Sequence, residues 1–203
     1  MDLSRRAVLL AGVGLAVLPS FGALAADISK EARELIETLG AEAISTINDD
    51  KLGDADRREK FTKLLVEGFD IPAIARFCLG RYWRSASDTQ KLAYQAAFQD
   101  MIIAVYANRF REYRGVNFRV VASRNEGQDH AIVISSLQPP TSSQAAKVEW
   151  RVLKPQGKTK VVDVIVEGVS MSLTQQQDFA AAMQSNGGDL DRFIAELKQR
   201  AAA

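Results

Sequence analysis

The stretch Val-Val-Asp-Val-Ile-Val-Glu at residues 161–167 decides the fold class, because valine recurs there at every second position. The pattern divides the side chains between two faces, with Val162, Val164 and Val166 on one and Val161, Asp163, Ile165 and Glu167 on the other. Such alternation predicts a β-strand. Three earlier stretches, around residues 117–120, 131–134 and 147–152, alternate in the same way. Short segments rich in Gly, Pro, Ser and Asp separate the four strands, so an antiparallel meander is the simplest topology.

The rest of the chain has the three- and four-residue spacing of amphipathic helices. One predicted helix is marked by an apolar stripe at Phe61, Leu64, Leu65 and Phe69. The other predicted helices run from Ile28 to about Asn48, from Ala73 to Leu79, from Thr89 to Tyr113, from Gln175 to Ser185 and from Leu190 to Arg200. The longest helix is apolar on more than one side between Phe98 and Ala107, so we expect it to be covered on more than one side. The predicted fold class is α+β, with helices packed against a mainly antiparallel four-stranded sheet.

The amino terminus has the pattern of an export signal. A basic start precedes an apolar run over residues 7–18, and Ala-Leu-Ala at 23–25 predicts cleavage between Ala25 and Ala26. The run is too short to span a bilayer. We expect residues 1–25 to be a cleavable signal peptide that directs the protein to the periplasm. The Sec route is the simpler interpretation, and the adjacent arginines leave the Tat route open.

Composition excludes several functional classes. Of 203 residues, 26 are Lys or Arg, 25 are Asp or Glu, and 47% are hydrophobic. The signal peptide holds two arginines and one aspartate, so 24 basic and 24 acidic side chains remain after cleavage. This balance provides no basic surface for nucleic acid and no long-range attraction to an anionic membrane. One Cys and one His exclude an internal disulfide and a Cys/His zinc site. Residues 26–203 are long enough to form a single domain.

Little in the sequence indicates catalysis. His130 has no Ser or Cys beside it and is interpreted as a strand-end side chain. Asp163 and Glu167 are four apart on a predicted strand and share a face, as the carboxylates of an acid–base pair would. Solvated side chains or partners for Lys and Arg are the simpler interpretation. We predict no catalytic residue, no metal site and no enzyme activity, with a base at Asp163 or Glu167 as the alternative.

Two regions carry a family resemblance. The first comprises Phe69-Asp70, residues 77–84 (Phe-Cys-Leu-Gly-Arg-Tyr-Trp-Arg) and residues 90–113; the second comprises residues 150–152 and 162–171 (Val-Asp-Val-Ile-Val-Glu-Gly-Val-Ser-Met). In this order, and across the whole mature chain, they resemble the MlaC family of periplasmic phospholipid-binding proteins, also called toluene-tolerance or ABC-transporter auxiliary proteins.

Two positions depart from the family pattern. Thr159 stands where an aromatic residue is common, which could alter the cavity wall or the sheet edge. Gln175 and Gln176 stand where many members carry a basic residue, which weakens any inference that a partner docks there.

The resemblance implies a twisted sheet against helices, similar to the NTF2-like cone, with an apolar cavity between the two layers. Acyl chains would insert there and leave the headgroup near solvent. The implied function is a carrier that shuttles phospholipid between an outer-membrane lipoprotein-porin complex and the MCE-domain component of an inner-membrane ABC transporter, and so maintains outer-membrane lipid asymmetry. The phospholipid would be cargo rather than a cofactor, and the protein a monomer that binds no nucleic acid.

Side-chain character and periodicity select the predicted tail pocket. Its residues are Phe77, Tyr82, Trp83, Phe98, Ile102, Val105, Tyr106, Val164, Val166 and Met171.

Three other functions stay open. A related carrier would hold a hopanoid or another envelope lipid, and an enzyme of the same fold would use Asp163 or Glu167 as a base inside the cavity. A purely structural envelope protein would have a filled core and no pocket.

Overall fold

The computed structural model describes residues 27–109 and 113–202 of the 203-residue chain. The predicted signal peptide and its cleavage site lie outside the described residues and stay predictions. Within the described part, no helix is long and apolar enough to cross a membrane. The elements, in chain order, are α1 (Ile28–Asn48), α2 (Asp54–Gly68), α3 (Ile71–Leu79), α4 (Tyr82–Ser85), α5 (Asp88–Arg109), β1 (Asn117–Asn125), β2 (His130–Gln138), β3 (Ala146–Leu153), β4 (Lys160–Val166), β5 (Val169–Ser170), α6 (Met171–Ser185) and α7 (Leu190–Ala202).

The strands form one antiparallel sheet in the order β1-β2-β3-β4-β5. The predicted α+β fold, with helices against an antiparallel meander, is confirmed, but the sheet formed by the described residues has five strands and not four. A tight turn at Glu167 and Gly168, with φ of 49° and 83°, returns the chain so that Val169 pairs with Val166. Because β5 has only two residues, it shows no alternating pattern in the sequence.

A register shift in β4 corrects the predicted division of its side chains. Trp150 pairs with Val164, whereas Val152 pairs with Val161, so Val162 is an extra residue in the ladder. Val161 and Val164 therefore face the same side of the sheet, and the prediction that they face opposite sides was wrong. Val161 is fully buried on that side. Alternation along one strand cannot reveal such a bulge, because the shift is defined only by the partner strand.

Helix α6 begins at Met171, four residues before the predicted start at Gln175. Ser170 explains the difference, because its hydroxyl oxygen accepts a hydrogen bond from the backbone N–H of Leu173 at 3.1 Å. A serine in this position satisfies a backbone donor that the first helical turn would otherwise leave unpaired. The helix thus follows directly on β5 without a loop.

Helix α1 lies across the sheet, antiparallel to β1. At one end the Ser29 N–H donates to Asn125 Oδ1 at 2.8 Å, and at the other the Gly115 N–H donates to Asn48 Oδ1 at 3.1 Å. The helix and the sheet bury a common set of apolar side chains, which we call the sheet cluster: Ile28, Ala32, Ile36, Val120, Ala131, Val133, Val152 and Val161.

A second hydrophobic cluster, the helical cluster, is formed by residues of α2, α3, α5, α6 and α7 together with Ala86. Its aromatic centre consists of Tyr94, Phe98, Phe179 and Phe193, each 1% exposed or less. The rings of Phe179 and Phe193 meet edge to face, with centroids 4.9 Å apart. Helix α5 packs on α2, α3 and α7, so it is covered on more than one side, as its wide apolar surface predicted.

Candidate functional site

The hydrophobic core is divided into the sheet cluster and the helical cluster. Phe69 packs against both, and other apolar side chains along the boundary are only partly buried. We call this boundary the seam and define it by Leu39, Phe69, Ile102, Phe118, Trp150 and Val164. Domains usually have one contiguous core. The partly buried apolar side chains along this boundary make it the candidate site for an apolar ligand.

An aromatic row crosses the sheet within the seam. Trp150 lies between Val133 and Val164 on the neighbouring strands. Its ring meets Phe69 on one side and Phe118 on the other, both edge to face, with centroids 6.5 Å and 6.4 Å away. We call Phe69, Trp150 and Phe118 the aromatic row. Its three rings offer an apolar surface that runs from the β4 edge of the sheet to β1.

Two glycines allow seam side chains to approach helix backbones closely. A Cβ atom on Gly40 in α1 would lie 2.1 Å from the Phe118 ring, and one on Gly68 at the end of α2 would lie 2.5 Å from Leu39. Glycine within a helix costs about 1 kcal/mol relative to alanine. At Gly40 that cost is offset by the packing of Phe118 against the helix.

Five of the ten predicted pocket residues lie on β4 or on the part of α5 that follows Phe98. Ile102 on α5 and Val164 on β4 are seam residues, one from each layer. Val105 and Tyr106 follow Ile102 on α5 and are 38% and 41% exposed. Val166 is half-buried at the end of β4.

The other five have different surroundings. Phe98 is enclosed in the helical cluster, and Tyr82 and Trp83 pack against that cluster while remaining half-buried. Phe77 on α3 is 47% exposed. Met171 is half-buried at the first residue of α6. The contribution of all ten residues to a tail pocket stays a prediction.

Sequence reasoning did not place the aromatic row in the pocket. The signal was present for two of its members, because Trp150 is flanked by Glu149 and Arg151, and Phe118 precedes Arg119. An apolar ring between charged neighbours on a strand belongs to the covered face of the sheet. Phe69 could not be placed in this way, because it follows a helix and reaches the sheet through a single parallel bridge to Val161.

Asp163 faces the side of the sheet opposite Val164 and is 5% exposed. It accepts hydrogen bonds from the Ser172 N–H at 3.0 Å and from the Ser170 hydroxyl at 2.7 Å, and Arg151 lies 3.6 Å away. The hydrogen bonds of this carboxylate thus connect β4 to the start of α6. It does not face the seam.

The other titratable candidates are at the surface. Glu167 is exposed in the turn between β4 and β5, where its carboxylate accepts a hydrogen bond from the backbone N–H of Lys147. His130 is exposed at the first residue of β2. Among residues 27–109 and 113–202 there is no group of three or more His, Cys, Asp and Glu side chains that could hold a metal ion.

The two positions that depart from the family pattern have structural contacts. The Thr159 hydroxyl donates to Glu31 on α1 at 3.3 Å, and the Gln176 amide donates to the carbonyl of Phe77 at 2.7 Å. Thr159 therefore helps to hold α1 on the sheet, and Gln176 joins α6 to α3.

Two surface depressions lie outside the seam. One has a volume of about 270 Å³ and the other about 340 Å³. The first is lined by Tyr82, Ser85, Ala86, Gln90, Met183, Gly188, Asp189 and Leu190, and the second by Ile47, Asp50, Leu52, Arg57 and Arg114. Polar and charged side chains contribute to both, and no seam residue lines either.

Fold and seam together define an α+β protein whose antiparallel sheet and helical layer meet at a boundary of partly buried apolar side chains. A solved structure is similar in fold: the phospholipid-binding protein from Ralstonia solanacearum in complex with a phospholipid. The TM-score is 0.72 at 22% sequence identity, over 84% of this chain and 97% of that chain.

Sequence comparison identifies the family. The sequence model of the family described as MlaC protein matches residues 37–199, and the chain belongs to the MlaC family. This confirms the resemblance found in residues 69–113 and 150–171. The toluene tolerance protein ttg2D of Pseudomonas putida is 29% identical over 116 residues, which are 56% of this chain and 53% of that protein. The match thus spans about half the length of that relative.

Proposed function

We propose that this protein binds a phospholipid by inserting its acyl chains into the seam, and that it performs no chemistry on the lipid. The observation that carries the proposal is the divided core, with partly buried apolar side chains on both sides of the boundary. Membership of the MlaC family and the fold shared with a phospholipid-binding protein support it.

A carrier is needed because acyl chains cross water at a high energetic cost. Each CH₂ group moved into water costs roughly 0.8 kcal/mol, so a sixteen-carbon chain costs on the order of 13 kcal/mol. A protein that shields the chains removes most of this barrier. The binding energy then comes mainly from the tails, which fits a chain with nearly equal numbers of acidic and basic side chains.

We further propose that the protein carries phospholipid through the periplasm between the two membranes. Its partners would be an outer-membrane lipoprotein-porin complex and the MCE-domain component of an inner-membrane ABC transporter. Export would follow from the predicted signal peptide at residues 1–25. The carrier would act as a monomer and contribute to the lipid asymmetry of the outer membrane.

The test of binding is the lipid content of protein purified from the cell envelope. We expect native mass spectrometry to show a protein–lipid mass, and an organic extract of the same sample to contain phospholipid in a near-stoichiometric amount. An apo mass with an extract free of lipid would contradict the proposal. An extract that contains a hopanoid instead would assign the carrier to that lipid class.

A pair of variants tests the location of the lipid. Val164→Asp places a charge on the sheet side of the seam, where burial without a partner is costly, and we expect it to lose bound lipid. The control is Val121→Asp, because Val121 is 54% exposed at the register shift in β1. Circular dichroism of both variants separates loss of lipid from loss of fold. Retention of lipid by a folded Val164→Asp variant would place the site elsewhere.

A further inference from the structure

The aromatic row has one polar attachment to the sheet. The Trp150 indole N–H donates to Ser135 Oγ at 2.8 Å, and the Ser135 hydroxyl donates to the carbonyl of Val148 at 3.4 Å. Ser135 is 1% exposed, on a side of the sheet that is otherwise apolar around it. A buried hydroxyl is tolerated only when its hydrogen bonds are made. Ser135 therefore fixes the orientation of the indole ring.

The row also marks a change in packing along β4. In the strand direction away from Val166, the next residues on this face are Ala131, Val152 and Val161, which are fully buried in the sheet cluster. In the opposite direction, the next residues are Ser135, Val148 and Val166; Ser135 and Val148 are buried, whereas Val166 on β4 is only half-buried. An apolar chain that enters beside Val166 and follows β4 would meet Trp150 before it reached the filled core at Val161.

We propose that Trp150, positioned by Ser135, is the floor of the seam and limits the length of acyl chain that the protein accepts. The inference rests on the proposed phospholipid binding and adds a determinant of chain-length specificity to it. Trp150 is the residue that would contact the chain end. Ser135 is a positioning residue that acts through the indole.

The expected effect follows from the cost of leaving methylene groups in water. Each CH₂ that a pocket cannot accept disfavours uptake from a membrane by roughly fourfold. A floor lowered by the length of one CH₂ should therefore raise the ratio of longer to shorter lipid on the protein about fourfold.

The experiment uses the full mature chain exchanged to equilibrium against vesicles of phosphatidylglycerols. The vesicles contain equal amounts of lipids with saturated chains of fourteen, sixteen or eighteen carbons, and native mass spectrometry measures the species bound. We compare wild type with Trp150→Phe, Ser135→Ala and the double variant. The matched control is Ser136→Ala, because Ser136 is the next residue of β2 and faces the other side of the sheet.

We expect Trp150→Phe and Ser135→Ala to raise the ratio of eighteen- to fourteen-carbon lipid at least fourfold over wild type, and Ser136→Ala to leave it unchanged. Because Ser135 acts through the indole, the double variant should match Trp150→Phe alone. If both single variants bind lipid with the wild-type ratio, Trp150 does not limit the length of the acyl chain, and the proposal of phospholipid binding is unaffected. No lipid on the wild-type protein would overturn both proposals. If Ser135→Ala fails to fold, the Trp150→Phe ratio decides alone.

Discussion

Asp163 accepts a hydrogen bond from the backbone N–H of Ser172 at 3.0 Å, and so joins the last long strand to the first turn of α6. The same carboxylate accepts from the Ser170 hydroxyl, which in turn caps the helix. A carboxylate near a helix N-terminus also interacts favourably with the helix dipole. Asp163, which a catalytic interpretation would use as a base, therefore has a structural role: it connects β4 to the start of α6.

Asp163→Asn should destabilise the fold. The amide has one acceptor oxygen in place of two, so a donor at the start of α6 or the Arg151 guanidinium loses its partner in a buried setting. We expect a loss of about 3 kcal/mol in the free energy of unfolding, measured by urea denaturation. Asp178→Asn, at an exposed position of α6, is the control and should change little. Equal stability of the Asp163→Asn variant and wild type would contradict this structural role.

Gly40→Ala should also be destabilising, although alanine is the better helix former. The new methyl group would lie 2.1 Å from the Phe118 ring, so the ring or the helix must shift. We expect a net loss of about 1–3 kcal/mol, the range for an overpacked core, measured by thermal and urea unfolding. The control is Gly53→Ala, where an added Cβ meets nothing closer than 3.7 Å. A stabilised Gly40→Ala variant would show that Phe118 does not pack against α1.

The fold class could be predicted from the spacing of apolar residues along the chain. The candidate site could not, because it depends on contacts between strands and helices that are distant in sequence. Alternation around residues 117–120, 147–152 and 161–167 was enough for the sheet, and helical spacing was enough for the helical layer. The bulge at Val162 and the division of the core depend on which strands and helices become neighbours. Phe98 illustrates the difference, because its apolar character fits a pocket or a core equally well, and packing placed it in the core.

Cys78 should be inert in the folded protein. It is 1% exposed, and burial, together with the nearby charge of Asp163, raises the pKa of its thiol to about 12. We expect a thiol reagent at pH 8 to modify native protein at least about 100-fold more slowly than protein unfolded in guanidinium chloride, because the thiolate is scarce and access requires opening of the fold. Rapid modification of the native protein would contradict this burial.

The raised pKa of Cys78 also predicts a direction for stability at high pH. The folded state holds the thiol proton more tightly than the unfolded state, whose thiol titrates near 9.0. The stability that the protonated thiol of Cys78 gives to the folded state is therefore constant below pH 9.0. It is lost as the pH rises toward 12. We expect the difference in unfolding free energy between wild type and Cys78→Ser to shift against wild type above pH 9.0. A difference that is independent of pH would contradict the shift.

Glu31 should contribute modestly to the attachment of α1. The Lys154 ammonium lies 2.6 Å from its carboxylate and lowers its pKa, as does the Thr159 hydroxyl. Because both side chains of the pair are partly exposed to solvent, which screens their attraction, Glu31→Gln should cost less than about 1 kcal/mol. The pKa of Glu31 is lower in the folded state than in the unfolded state. Its contribution to the free energy of unfolding is therefore present above the ordinary pKa of 4.5 and is lost as the pH falls.

The measurement is the free energy of unfolding of wild type and Glu31→Gln between pH 3 and 7. The variants should differ most near pH 7 and converge in acid. Glu34→Gln is a suitable control, because Glu34 is exposed on the same helix. The attachment is refuted if Glu34→Gln and Glu31→Gln behave alike across the whole range.

Two exposed valines on helices test whether α5 forms one wall of the lipid site. Val105 on α5 is 38% exposed and Val66 on α2 is 43% exposed, so aspartate at either position should leave the fold intact. Val105→Asp would place a charge one helical turn beyond Ile102, beside the entering acyl chains. A charge cannot be desolvated by an apolar ligand without a large cost, so we expect at least about a tenfold loss of lipid uptake from phosphatidylglycerol vesicles. Val66→Asp should take up lipid as wild type does. Equal uptake by both variants would show that the acyl chains do not reach Val105 and would contradict a wall formed by this part of α5.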